Sequence, residues 1–369
     1  MADLFTYIVY FSTLLLSVVL IKMGYNKQTL KRNCKGHILF ILLALIVLVI
    51  VSGLRYNVGA DYPGYSFIFT EQPYNDDSLG MEIEYGFVLI VDTLNNIGLE
   101  VWTFFTFTAF TTCFLLFYSF RNYKFQLYLG VFFFITYGFY FFSFNAVRQA
   151  IAMSALAVAV AFIQERKLFP FLGVILIGGL MHKSLYLFLP LYFVLDKIKL
   201  SKYIWYGAFI ISLALHFIPM TSIMNISSVF NVLADSQIDY SNFLEDNNSD
   251  LSVTGSLTLG YLARVGAGFI ILVYYDKLTK LNPNYFPYFT LSLIGIFMYN
   301  SFSTIFFIGR INNYFLLFHV FTLAFIIDYL FRSKQKLMAN AILLYFLILF
   351  FSNIYYSDNG SAPYKFIAF

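Results

Sequence analysis

Charge is what this 369-residue sequence has least of: Asp, Glu, Lys and Arg together make up 11% of it. Soluble domains carry about a quarter, so a water-soluble enzyme is excluded. A disordered or nucleic-acid-binding chain is excluded too, because its signature is abundant polar or basic residues. There are only two cysteines, Cys34 in a polar stretch and Cys113 inside an apolar run, so neither a disulfide framework nor a zinc-ligand spacing exists. No HExxH, Walker loop or GxSxG is present, which leaves metalloprotease, NTPase and serine-hydrolase readings without support. Apolar residues fill the space instead: 60% of the chain is hydrophobic, with 47 Phe and 30 Tyr. This is the composition of an all-α, polytopic membrane protein, and its few charges carry the information.

A spanning helix needs about 20 predominantly apolar residues bounded by charged loops. The pattern predicts spans at 4–21, 38–54, 101–120, 125–144, 146–163, 168–181, 184–195, 203–220, 257–275, 286–308, 310–331 and 337–352. The first is expected to be a span and not a cleavable signal, since Asp3 makes its start acidic and no small-residue cleavage site follows. Residues 168–195 have basic flanks on both sides, Arg166-Lys167 and then Lys197, Lys199 and Lys202. Both flanks belong in the cytoplasm by the positive-inside rule, so the chain must cross twice, turning at His182-Lys183-Ser184. About twelve transmembrane helices follow, with both termini outside, in a single integral membrane domain over 1–369. Two longer outer segments remain. In 55–100 a short amphipathic surface helix is expected from Glu84 to Asn96, stopped by Gly98, and 221–256 reads as an acidic solvated loop.

This topology leaves six basic residues outside: Arg55, Arg148, Lys183, Arg264, Arg310 and Lys365. Of the 19 acids only Glu165, Asp196, Asp276 and Asp328 fall inside. A charge within a span costs roughly 2.5–3.5 kcal/mol at mid-bilayer and calls for a function. The plain alternative for each is snorkelling to the outer headgroups or pairing with a nearby acid, such as Arg55 with Asp61. Several cations on the face where Lys and Arg are normally scarce point instead to a phosphate, which the planar guanidinium fork binds with paired hydrogen bonds. Their outer location suggests a phosphate carried by a lipid. Asp61 lies in a stretch of glycines and tyrosines, where Tyr62 and Tyr65 could stack on sugar rings. Among the candidate proton acceptors Asp61 stands first, with His182 and Glu84 behind it. No carboxylate cluster resembles a magnesium site, so neither a metal nor another cofactor is expected.

Arg55-Tyr-x-Val-Gly-x-Asp-Tyr, Glu84-x-Gly86-Phe87, Val147-Arg148-Gln149-x-Ile-Ala, His182-Lys-Ser, Arg310-x-x-x-Tyr314-Phe315 and Pro363-Tyr364 occur in this order. Together they resemble the EpsG family, which is grouped with Wzy-type polymerases of O-antigens, capsules and exopolysaccharides. Many members carry Thr where this chain has Ala60, which drops one hydroxyl beside Asp61. The resemblance implies a GT-C-like glycosyltransferase in the bacterial plasma membrane with its active site on the extracytoplasmic side. Its partners would be undecaprenyl-diphosphate-linked donor and acceptor glycans, the bilayer and a chain-length regulator. In that scheme Arg148, Arg264 and Arg310 hold the leaving diphosphate, and Arg55 or Lys183 holds the acceptor's. Candidate substrate contacts are Tyr62, Tyr65, Asn145, Gln149, Tyr314 and Tyr364. A lipid-linked oligosaccharide flippase and a glycan ligase are the competing readings, with a membrane acyltransferase a weaker one.

Overall fold

The computed structural model describes residues 2–25, 34–75, 83–218, 257–302 and 306–367. Within them the regular structure is helical apart from one isolated antiparallel bridge, Arg55 with Phe366. The acidic segment 221–256 and the basic stretch containing Lys27, Lys31 and Arg32 lie outside the described residues. The chain divides into two compact units, residues 1–195 with 320–369, and residues 196–319.

In the first unit α1 (Leu4–Gly24) starts at Asp3, whose carboxylate accepts the Thr6 N–H at 2.8 Å and caps the helix. It packs along α2 (Cys34–Gly53). After the outer segment come α5 (Val101–Ser119), α6 (Leu127–Thr136), α7 (Phe139–Asn145), α8 (Val147–Gln164) and α9 (Leu168–Gly179). Helix α8 is the axis of this unit: Ala and other small residues run along it, and almost every side chain is buried. Small side chains let neighbouring backbones approach closely, which is how helices associate where lipid removes the hydrophobic drive. Helices α5 and α9 flank it.

Among the described residues five helical stretches are long and apolar enough to cross a membrane: Leu4–Gly24, Val101–Ser119, Val147–Gln164, Ile308–Arg332 and Lys336–Tyr355. A sixth is added if the pair α6–α7, bent by 57°, counts as one. The bend falls at Gly138, whose φ of +100° is the left-handed region a glycine tolerates. Shorter apolar helices are His37–Gly53, Leu168–Gly179 and Lys202–Leu215. The expected span at 184–195 is not a regular α-helix. Lys183–Phe188 is a 3-10 helix, followed by the one-turn α10 (Leu191–Val194) and a second 3-10 turn, Leu195–Lys197. Pro190 interrupts any continuous ladder because it has no N–H to donate.

The segment 55–100 holds more than the one expected helix. Helix α4 (Tyr85–Asn96) forms as predicted and stops at Gly98, where φ is +73°. Ahead of it lies α3 (Tyr62–Glu71), with Pro63 in its first turn. Both seat apolar, mostly aromatic residues on the bundle: Tyr62, Tyr65, Phe69, Phe87 and Val91 share one core with Phe104 and Phe105 of α5 and Val147 and Ile151 of α8. The opposite end of α8 holds charges predicted to be cytoplasmic. Arg121 and Asn122 both bind Glu165, at 2.9 and 3.0 Å, and the Gln126 amide donates to Asp328 at 2.7 Å. At 1.5 Å per residue the 18-residue α8 separates the two ends by roughly 27 Å, close to the thickness of a bilayer's hydrocarbon core.

The second unit contains α11 (Lys202–Leu215), α12 (Leu259–Leu281), α13 (Phe286–Phe302) and α14 (Phe306–Leu316). Helices α15 (His319–Arg332) and α16 (Lys336–Tyr355) complete the chain.

Candidate functional site

Three side chains that lie far apart in the sequence meet where α4, α8 and α9 begin or end. Glu84 immediately precedes α4, Arg148 is in the first turn of α8, and His182 follows α9. The Glu84 carboxylate accepts a hydrogen bond from Arg148 Nη1 through Oε2. Its Oε1 lies 2.8 Å from His182 Nδ1. The side chains are 10% (Glu84), 28% (Arg148) and 21% (His182) exposed, so the cluster is sheltered yet reachable. Glu84 makes no capping bond with the α4 backbone. It is a bridging ligand for two cationic or donor groups and not a helix cap.

Burial alone would push the Glu84 carboxyl up. The His182 hydrogen bond and the charges of Arg148 and His182 outweigh that and hold it down at about 2. An ionised carboxylate only accepts, so the hydrogen on the shared His182 contact belongs to Nδ1. In the neutral ring Nε2 is then left as a proton acceptor. Arg148 is steadied from two further sides, since the Tyr65 side chain interacts with it electrostatically and the Phe87 ring lies 5.3 Å from its guanidinium carbon. A fixed imidazole beside a fixed guanidinium can take a proton from a hydroxyl and stabilise a developing anion.

The profile of the EpsG family matches residues 38–366. The chain belongs to the EpsG family. No curated relative and no solved structure is significantly similar to it. The family is associated with exopolysaccharide biosynthesis, and the several long apolar helices make this EpsG protein a multi-pass membrane protein.

The remaining candidates of this EpsG chain have different surroundings. Arg55 is 1% exposed, and each of its three guanidinium nitrogens donates to a backbone carbonyl: Nε to Val58 at 3.0 Å, Nη1 to Ser52, and Nη2 to Phe144 at 2.9 Å. The Phe105 and Phe144 rings stand 4.4 and 4.8 Å from its carbon. It therefore ties the end of α2 to α7, with its donors committed to carbonyls and away from both the proposed diphosphate and the alternative partner Asp61. Asp61 is exposed, and its backbone N–H donates to Asn145 Oδ1 at 3.2 Å. Among the described residues its carboxylate forms no ion pair.

Asn145 uses its other amide atom, Nδ2, to donate to the Asn359 carbonyl at 2.7 Å, so it clamps the outer segment to the C-terminal strap. Tyr364 is buried in that strap and donates its hydroxyl to the Val51 carbonyl at 2.8 Å. Tyr62 is buried against Phe105, with ring centroids 4.5 Å apart, and Tyr65 faces Arg148; neither ring is open for sugar stacking. Gln149 is buried, and Lys183 is exposed next to His182.

In the second unit Arg264 lies over Tyr299, 5.5 Å from its ring, and donates to its hydroxyl at 3.3 Å. Tyr261 stacks between His216 and Tyr299, at 3.8 and 5.8 Å. Arg310 is exposed and Tyr314 fully buried. The first unit thus brings together Glu84, Arg148, His182 and Tyr65 from the sequence candidates. It adds Gly86 and Phe87, whose signal was the Glu84-x-Gly86-Phe87 spacing.

Proposed function

We propose that this protein is a membrane-embedded glycosyltransferase that polymerises undecaprenyl-diphosphate-linked repeat units on the outer face of the bacterial plasma membrane. The observation that carries the reading is the Glu84 carboxylate joining His182 Nδ1 and Arg148. His182 is the general base and Glu84 fixes its tautomer and orientation, the division of labour seen wherever a carboxylate backs a catalytic imidazole. The acceptor hydroxyl gives its proton to His182 Nε2 as its oxygen bonds to the donor's anomeric carbon. The bond from that carbon to the diphosphate oxygen breaks, and the lipid diphosphate leaves with the electron pair. Arg148 stabilises the negative charge that develops there. A guanidinium has five donors, so it can serve Glu84, Tyr65 and a phosphate together. Asp61 is the weaker base because no partner among the described residues fixes its carboxylate.

The twelve-span topology with an extracytoplasmic site belongs to the same proposal. It is supported by the sorting of contacts along α8: the groups assigned outside (Glu84, Arg148, His182) meet at one end, and those assigned inside (Arg121, Glu165) meet at the other. Arg264 and Arg310 are proposed diphosphate contacts of the second unit, on the strength of the motif for Arg310 and of charge within a span for Arg264. A chain-length regulator is a proposed partner on the family resemblance alone.

The test is complementation of a polymerase-deficient host, with surface glycan length scored on a gel. Glu84→Gln, His182→Ala and Arg148→Lys, each expressed at normal level, are expected to leave single-repeat glycan on the surface. Full-length polymer from all three would end the assignment, and loss of even single-repeat glycan would favour a flippase.

A further inference from the structure

The Glu84-x-Gly86-Phe87 motif has a middle member that the chemistry above does not use. Gly86 donates its N–H to the Leu180 carbonyl at 2.9 Å, a contact between the first turn of α4 and the turn that ends α9. There is no space for a side chain, because a Cβ on Gly86 would sit 2.8 Å from the Leu180 oxygen and 2.9 Å from its carbonyl carbon and its Cβ. Glu84 lies two residues before this contact and His182 two residues after it. Two backbones that touch at Gly86 and Leu180 therefore bring the carboxylate and the imidazole to 2.8 Å. Phe87, fully buried, completes the arrangement by placing its ring under Arg148.

We infer that Gly86 is a positioning residue: its lack of a side chain lets α4 dock on the α9 turn in the register that sets the Glu84–His182 pair. This rests on the general-base reading of His182. A methyl group at 86 must move α4 away from Leu180 by several tenths of an ångström or more, since contacts below 3.0 Å are not accommodated by backbone. A misplacement near 1 Å in a catalytic array costs on the order of a hundredfold in rate.

The experiment is a double-mutant cycle on purified full-length protein, with turnover of a synthetic polyprenyl-diphosphate-linked repeat unit as the readout. Gly86→Ala is expected to lower kcat by about ten- to a hundredfold with KM little changed, and to add nothing in the Glu84→Gln background, because both remove the same support from His182. Gly173→Ala, in α9 with open space around its Cβ, is the control and is expected to turn over normally. If Gly86→Ala does not yield folded protein, Glu84→Asp replaces it. With the register intact the carboxylate is one methylene short of His182, and the loss should match Glu84→Gln. An equal loss from Gly86→Ala in both backgrounds, or a Glu84→Asp enzyme at full rate, overturns the positioning role. Full turnover by Glu84→Gln alone overturns instead the reading on which it rests.

Discussion

A carboxylate sheltered at the end of an apolar bundle is costly unless its charge is matched, and at Glu84 two partners supply the match. Because its folded value lies below the ordinary 4.5, the pairing stabilises the protein above about pH 4.5 and is lost as the pH falls toward 2. The thermal midpoint of the detergent-solubilised protein should fall through that window, and Glu84→Gln should abolish the step. Arg55 is the opposite case, a buried cation spent on structure. Replacing it with Met leaves three buried carbonyls without donors, at about 1–3 kcal/mol each. Arg55→Met is therefore expected to lose monodisperse protein on size exclusion, whereas Arg148→Lys should keep it and lose turnover. From sequence the two arginines are alike, basic residues that the charge pattern assigns to the outer face. Their roles separate only in space: Arg55 binds carbonyls 3 and 89 residues away, and Arg148 binds a carboxylate 64 residues away. A separation of 98 residues hid the Glu84–His182 pair, although both residues stood among the candidate proton acceptors.

Among the elements, α4 was legible because its apolar periodicity and the Gly98 stop are local signals. Helix α3 was not, since its glycine and tyrosine content reads as a loop and only Pro63 marks its first turn. The stretch at 184–195 carried enough apolar length for a span but held Pro190, and its backbone tightened into 3-10 turns. The C-terminal strap was visible only as a Pro-Tyr motif. In space it clasps the segment after α2 to the end of α7. Gly59 and Ala60 donate to the Gly360 and Asn359 carbonyls at 2.9 and 3.2 Å. Tyr10 donates to the Ser361 carbonyl at 2.5 Å, and Asn145 bridges the two segments. Asn145→Ala removes two hydrogen bonds, worth together about 1–3 kcal/mol. It is expected to lower the thermal midpoint by several degrees while turnover at low temperature stays within a few-fold of wild type, which differential scanning fluorimetry and the turnover assay would check.

For the whole molecule, composition alone settled the class, and the sorting of charges predicts the direction in which the chain faces. The division into two compact units had no signal in the sequence, because apolar spans run evenly through both. Facing is checked by single cysteines in a background lacking Cys34 and Cys113. A cysteine at Lys183 should react with a membrane-impermeant maleimide in intact cells, and one at Lys167 only after lysis. The central claim is that Glu84, His182 and Arg148 form one glycosyl-transfer site, and the most direct measurement is single-turnover transfer by purified protein. The assay joins one defined lipid-linked repeat to another and follows released lipid diphosphate and dimeric glycan together. His182→Ala is expected to slow both products equally, by about 10²–10⁴-fold, with the protein still folded and substrate still bound. Dimer formation at the wild-type rate by folded His182→Ala would contradict the account.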